Sequence, residues 1–255
     1  MLFALDVGNT NLTLGVFRGE QLVDHWRLKT DPSQTVDGWG VLCRNLLALA
    51  DLKASEIEGV VVSSVVPSLN DSLLGMSERY FERTPLFVDS TVDTGLEVRI
   101  DSPRELGADR LVNAVAAYTR YGGPCVAVDF GTAINFDVVS ADAAYLGGVL
   151  CPGVSVAAEA LFRRTARLPQ IELREPAGVV GRNTVDALQS GLFYGTVGLI
   201  DGLLDRIVEE LGAEPRVVAT GGQAKALAHA CRRIEQVDEH LTLDGLRLVW
   251  HRVQK

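Results

Sequence analysis

Residues 125–139 read CVAVDFGTAINFDVV. An apolar run delivers Asp129 to the end of a strand, Gly131 lets the backbone turn, Thr132 follows with a hydroxyl, and a second strand leaves. Nearly half the chain earlier, residues 2–17 read LFALDVGNTNLTLGVF and repeat the device, with Asp6 and Gly8 in the places of Asp129 and Gly131. A duplicated strand-turn-strand implies two similarly built halves. Each turn can present backbone N–H groups, hydroxyls or amides and one carboxylate together, the parts that hold nucleotide phosphates with a cation between them.

The 255 residues suffice for one large domain or two lobes around a cleft. Hydrophobic residues make up 47% and charged ones 22%, ordinary for a globular protein, and the net charge of −9 argues against a nucleic-acid-binding surface. Cys43, Cys125, Cys151 and Cys231 form no C-x-x-C pair, so neither a zinc site nor a disulfide framework is expected. His25, His229, His240 and His251 lie outside every motif. No run reaches the ~18 apolar residues of a membrane span, and the start MLFALDVG lacks a basic leader, so a cytoplasmic protein without membrane attachment is expected.

Outward from the two hairpins, QLVDHWRLK (21–29) alternates as a third strand, and residues 31–38 form a loop before a helix over 39–50. The run 59–66 is too apolar to alternate and reads as a strand covered on both faces. A helix over about 69–80, a short strand at 85–88 and a polar loop over 89–106 precede the helix of GADRLVNAVAAYTRY. The second half repeats the theme: a third strand at 144–153, a helix over 154–165, and a long helix from Asn183-Thr184 to about Leu211. Within it Gly191, Gly195 and Gly198 leave a groove for close helix packing. A strand at 216–220 ends in Gly221-Gly222, a helix starts at Gln223, and an amphipathic helix covers 243–252. Neither a Walker A sequence nor G-x-G-x-x-G occurs, which removes the main support for P-loop and Rossmann readings. Glycine-bearing ends on three strands favour a ligand at the C-terminal edges of open sheets over simple hairpin turns.

The chain resembles the type III pantothenate kinases, within the group that includes actin, sugar kinases and heat-shock chaperone ATPases. The resemblance rests on DVGNTN (6–11), SSVVPSLN (63–70), ELGADRLVNAVAAY (105–118), DFGTA (129–133), YLGGVLCPG (145–153), ALFRRTARLP (160–169), GRNTVDALQSG (181–191) and ATGG (219–222). It implies a duplicated α/β fold of the ribonuclease H-like, actin-like ATPase kind. Residues 1–115 would form an N-terminal lobe and 116–255 a C-terminal lobe, each with a mixed sheet flanked by helices, and the active site between them.

The resemblance implies phosphorylation of pantothenate by ATP to 4′-phosphopantothenate, the first step toward coenzyme A, by a homodimer. Asp6, Val7, Gly8, Asn9, Thr10, Asn11, Leu12 and Thr13 would form the first phosphate-binding loop, with Thr132 in the second. Asp129 would bind a monovalent cation (K⁺ or NH₄⁺), and Asp6 would meet Mg²⁺ directly or through water. Gly107, Ala108, Asp109, Arg110 and Thr184 would contact pantothenate, Arg110 by pairing with the substrate's carboxylate, with Asp109 as catalytic base. Residue type alone also allows Asp109 and Thr184 to be helix N-caps, and a helix start is expected to keep the pKa of Asp109 low. The chain departs from the family pattern at Ile134 and Asn135, where two threonines are expected in the second loop, and at Ile100, where a tyrosine often lines the pantothenate pocket. The rival reading is a catalytically weak ATP-binding regulatory protein of the same fold.

Overall fold

In the computed structural model, residues 1–164, 169 and 171–255 are described. The chain forms two compact units, Met1–Ala116 together with Leu241–Lys255, and Ala117–His240. In the first, β1 (Leu2–Val7), β2 (Asn11–Arg18) and β3 (Gln21–Lys29) make an antiparallel meander. They are followed by α1 (Val36–Leu49), β4 (Gly59–Ser64), α2 (Pro67–Phe81), β5 (Leu86–Phe87) and β6 (Glu97–Val98). The sheet order is β3-β2-β1-β4-β5, with β4 parallel to β1 and β5 parallel to β4. One face carries Phe3, Leu5, Leu12, Leu14, Val60 and Val62 against Trp39, Cys43 and Leu47 of α1 and Leu69, Leu73 and Met76 of α2. Every residue of β4 but the last is buried, on both faces of the strand, which is why GVVVSS contains no polar alternation until its end.

Helix α3 (Ala108–Tyr121) leads into the second unit, where β7 (Cys125–Phe130), β8 (Ala133–Val139) and β9 (Ala144–Pro152) repeat the meander. Then come α4 (Val154–Arg164), α5 (Thr184–Leu211), β10 (Arg216–Thr220), α6 (Ala224–Leu227) and β11 (Gln236–Val237). The strands run in the order β11-β10-β7-β8-β9, with β10 parallel to β7 as β4 is to β1. Val126, Val128, Phe130, Ile134, Phe136 and Val138 pack on Leu192, Phe193, Val197, Ile200 and Leu204 of α5.

Several boundaries differ from the sequence reading. Helix α1 begins at Val36, because the Thr35 hydroxyl accepts from the Gly38 N–H at 3.1 Å and caps it earlier than the apolar stripe suggests. The polar stretch 89–106, expected as loop, contains the two-residue β6. Thr165, the expected end of α4, lies outside the described residues, as do 166–168 and 170 of the quoted motif and its flank.

The larger correction concerns the last helix, α7 (Leu241–Val253), which the lobe boundary at 115/116 gave to the second half. It belongs to the first unit. Leu241, Leu243, Leu246 and Val249 are buried along one face of α7, and Leu243 reaches within 2.8 Å of where a Cβ on Gly15 of β2 would stand. Gly245 lets α7 approach α3, since a Cβ there would sit 2.1 Å from the Val112 carbonyl oxygen. Gly245→Ala drives a methyl into backbone and should cost about 1–3 kcal/mol. Urea unfolding reports it as a lowered midpoint at unchanged slope.

Candidate active site

In the first unit Asp6 stands next to last in β1, half-buried, with Thr13 of β2 and Ser63 of β4 as its register partners. The turn after it is tied down at several points. Gly8 N–H donates to the Asn11 carbonyl at 3.0 Å, the Thr30 hydroxyl donates to the Gly8 carbonyl at 2.6 Å, and Thr30 N–H donates to the Thr10 carbonyl at 3.0 Å. Gly8 eases the turn, because an added Cβ would press on the Asn11 carbonyl oxygen at 3.0 Å. Thr30, 5% exposed, is a positioning residue for this loop that the sequence reading missed. It sits alone between a strand and a loop, with no motif to mark it.

Beside Asp6 one more oxygen is notable. The hydroxyl of Ser63, its register partner on β4, is buried with no hydrogen-bond partner among the described residues. An orphaned buried polar group costs about 1–3 kcal/mol unless water or a ligand satisfies it. Together with the Asp6 carboxylate, this hydroxyl fits a hydrated Mg²⁺.

The GADR segment lies at the same sheet edge. Val65 N–H donates to the Val7 carbonyl at 3.0 Å, and the Val65 side chain stands 3.5 Å from where a Cβ on Gly107 would be. Ala108 opens α3, and the Leu111 N–H donates to the Gly107 carbonyl at 3.1 Å. Asp109 is therefore inside the first turn and is no N-cap. Its Oδ1 accepts from the Arg110 N–H at 2.8 Å and lies 2.5 Å from the Cβ position of Gly107, so glycine makes room for the carboxylate. Burial pushes the Asp109 carboxyl above its ordinary 3.8, outweighing the Arg110 N–H and the Arg110 charge, which pull the other way. The expectation of a low pKa is thus corrected: desolvation exceeds the helix-start effect. Arg110 is half-buried beside it.

In the second unit Asp129 repeats the position of Asp6, with Asn135 of β8 and Thr220 of β10 in register. Gly153 N–H donates to the Thr132 carbonyl at 2.9 Å, and a Cβ on Gly153 would fall 2.4 Å from that oxygen. Gly221, at φ +91°, brings its backbone so close to Asp129 that a Cβ would lie 2.3 Å from Oδ1. The Gln223 amide donates to the Ser155 hydroxyl at 2.7 Å and joins this edge to α4. Gly153 and Gly221 lie in the YLGGVLCPG and ATGG motifs, yet their part in shaping the second turn shows only in the folded chain. The Asp129 carboxylate beside the buried Asn135 amide oxygen, which has no hydrogen-bond partner among the described residues, fits a monovalent cation.

Ile134 belongs to the core facing α5 and is 2% exposed. The hydroxyl missing there therefore leaves the Asp129 face of the sheet untouched. Thr184 is the exposed first residue of α5, and the cap is Asn183, whose side chain accepts from the Asp186 N–H at 2.9 Å. Ile100 is half-buried in the stretch before α3. A depression of about 460 Å³ in the first unit, lined by Met1, Arg18, Glu58 and Trp250, lies at the opposite end of β1 and contains none of these residues.

Two duplicated mixed sheets with carboxylate-bearing turns at corresponding strand ends define the actin-like ATPase and sugar-kinase fold class. Solved structures agree at the level of fold. The activator of 2-hydroxyisocaproyl-CoA dehydratase from Clostridium difficile, solved with ADPNP, superposes with a TM-score of 0.56 at 15% identity, covering 99% of this chain and 95% of that one. A protein assigned as an N-acetylglucosamine kinase from Porphyromonas gingivalis does so with a TM-score of 0.55 at 14% identity, over the full length of both. The type III pantothenate kinase family model matches residues 2–206. A type III pantothenate kinase of Solibacter usitatus is 50% identical over 99% of this chain and 97% of its own. The chain belongs to the type III pantothenate kinase family.

The raised Asp109 carboxyl carries a signed stability consequence. Its contribution is fully present below the unfolded value of 3.8 and is lost as pH rises through the folded value. Asp109→Asn removes that loss, so the variant should melt at or above wild type near neutrality, with the gain vanishing toward acid. Calorimetric melting of both proteins across pH about 4–8 checks the slope; a variant uniformly less stable would contradict the assignment of burial as the cause.

Proposed function

We propose that the chain transfers the γ-phosphoryl group of ATP to the primary hydroxyl of pantothenate, giving 4′-phosphopantothenate and ADP. The observation that carries this reading is Asp109, a carboxylate in the first turn of α3, seated on Gly107 and desolvated. A base beside an alcohol works best when its pKa is raised toward the working pH. In the reaction the pantothenate hydroxyl oxygen attacks the γ-phosphorus in line, its proton passes to Asp109, and the bond to the β–γ bridging oxygen breaks as ADP departs. Arg110 meets the pantothenate carboxylate, a planar pairing that guanidinium suits, and Thr184 offers an exposed hydroxyl to the same substrate.

The turn from Asp6 to Thr13 supplies backbone N–H groups to the phosphates, and Thr132 contributes from the second turn. Asp6, through water, and Asp129 are the side chains that would hold Mg²⁺ and a monovalent cation. Bound there, the ions neutralise charge on the β- and γ-phosphates. We place the enzyme in the cytoplasm, a reading supported by four free cysteines. Cys43, Cys125 and Cys231 are buried with their thiols pushed up to about 12. No helix among the described residues is long and apolar enough to cross a membrane.

A homodimer is part of the proposal, and the outer face of α5 supports it. Gly191, Gly195, Gly198 and Gly202 line that face at three- and four-residue spacing, and no described residue comes within 4 Å of a Cβ built at any of them. Between Ala187 and Asp205 every fully exposed position is glycine, alanine or leucine. A glycine inside a helix costs about 1 kcal/mol relative to alanine, which close helix–helix approach would offset. Leu199→Glu on this face should turn a dimer into a monomer, seen as a halved mass in light scattering. A monomeric wild type would remove the dimer from the proposal.

The activity is tested by coupling ADP release to a reporter with ATP, Mg²⁺ and K⁺ present and pantothenate added or omitted. Turnover should require pantothenate, and Asp109→Asn should lose at least about a hundredfold in kcat while keeping nucleotide affinity. The acid limb of kcat/KM in wild type should lie above the usual carboxylate range. Near-normal turnover by Asp109→Asn would overturn the base assignment.

A further inference from the structure

Asn135 is a buried polar residue on the face that carries Asp129. It is the register partner of Asp129 across the antiparallel β7–β8 pair, and side chains in register on neighbouring strands project from the same face. It is 9% exposed, and its amide oxygen is buried without a hydrogen-bond partner among the described residues. A buried acceptor left in that state is destabilising unless something absent from the polypeptide satisfies it. Three other polar groups share this face. Thr220 flanks Asp129 from β10 and is 2% exposed, while Asp137, two residues beyond Asn135, accepts from the Tyr145 hydroxyl at 2.8 Å.

We propose that the amide oxygen of Asn135 is a direct ligand of the monovalent cation held by Asp129. The inference rests on the reading of Asp129 as the cation residue. The Asp129 carboxylate with the Asn135 amide oxygen and the Thr220 hydroxyl on either side suits a singly charged, weakly hydrated ion, whose shell is readily replaced by carbonyl-type dipoles, while the second carboxylate of this face, Asp137, is engaged by the Tyr145 hydroxyl. A divalent ion bound by protein alone prefers more carboxylates, and no cluster of three acidic, His or Cys side chains that could hold a metal occurs among the described residues. The φ of +91° at Gly221 and its tight approach to the Asp129 carboxylate restrict that carboxylate on one side. Asn135 lies on the other neighbouring strand. An amide oxygen is a strong dipole that carries no proton to turn toward the ion, so it serves as an oxygen ligand.

The test uses the full-length protein and two readouts that need no turnover: the melting midpoint, and ADPNP affinity by calorimetry. KCl is titrated against choline chloride at constant ionic strength. In wild type, K⁺ should raise the midpoint and tighten ADPNP. Asn135→Leu, similar in size but without the oxygen, should raise the half-saturating K⁺ concentration by about tenfold or more. Asn135→Thr should stay within about threefold of wild type. Asn135→Asp places a second carboxylate beside the first, and its lowered midpoint should recover as K⁺ is added.

A folded Asn135→Leu protein with the wild-type K⁺ response would overturn the inference, as would Asn135→Asp without K⁺-linked recovery. If wild type and Asp129→Ala alike ignore K⁺, the cation reading itself falls and takes this inference with it. The two failures are therefore distinguishable.

Discussion

The structure depends on placing one carboxylate next to last in the central strand of each sheet, where the neighbouring strands must tolerate it. Asp6 has Thr13 and Ser63 in register, and Asp129 has Asn135 and Thr220. Small polar neighbours on both sides keep each carboxylate from facing hydrocarbon, which would neutralise it or force it out of position. On alternate residues the same strands are apolar and meet helices, α1 and α2 in the first unit and α5 in the second. Period-two alternation thus separates a packing face from a chemical face within single strands.

Much of this was legible in the sequence because it depends on local pattern. The two hairpins, the buried GVVVSS strand and the long helix after Asn183 are written as alternation, as continuous apolarity and as a capping residue before a helical stripe. What could not be read was non-local. Gly245 looks like a weak spot in an amphipathic helix until it is seen against the Val112 carbonyl. Thr30 looks like the end of a strand until its hydroxyl is seen on Gly8. Residue type alone could not separate Asn183 from Thr184 as cap, nor show that Asp109 lies within its helix.

The candidate site divides the same way. Motif spacing identified the turns and the GADR segment, but the electrostatics of Asp109 followed from desolvation, which depends on how deeply a particular turn is seated. The helix start argued for an acidic carboxyl, and burial against Gly107 prevailed. Ile134 and Asn135 form a similar contrast. Both stand where the resemblance led to an expectation of threonine, yet strand alternation sends Ile134 into the core and keeps Asn135 on the face of Asp129, so only one bears on ligands.

The placement of α7 makes the first unit discontinuous, with residues 117–240 inserted between its two parts. The order in which the ribosome releases the chain is then at odds with the order in which the units can be completed. All segments of the second unit emerge before α7, so it can close while the first still exposes the sheet face that Leu243, Leu246 and Val249 will cover. The half made first is finished last, its apolar sheet face uncovered until α7 arrives.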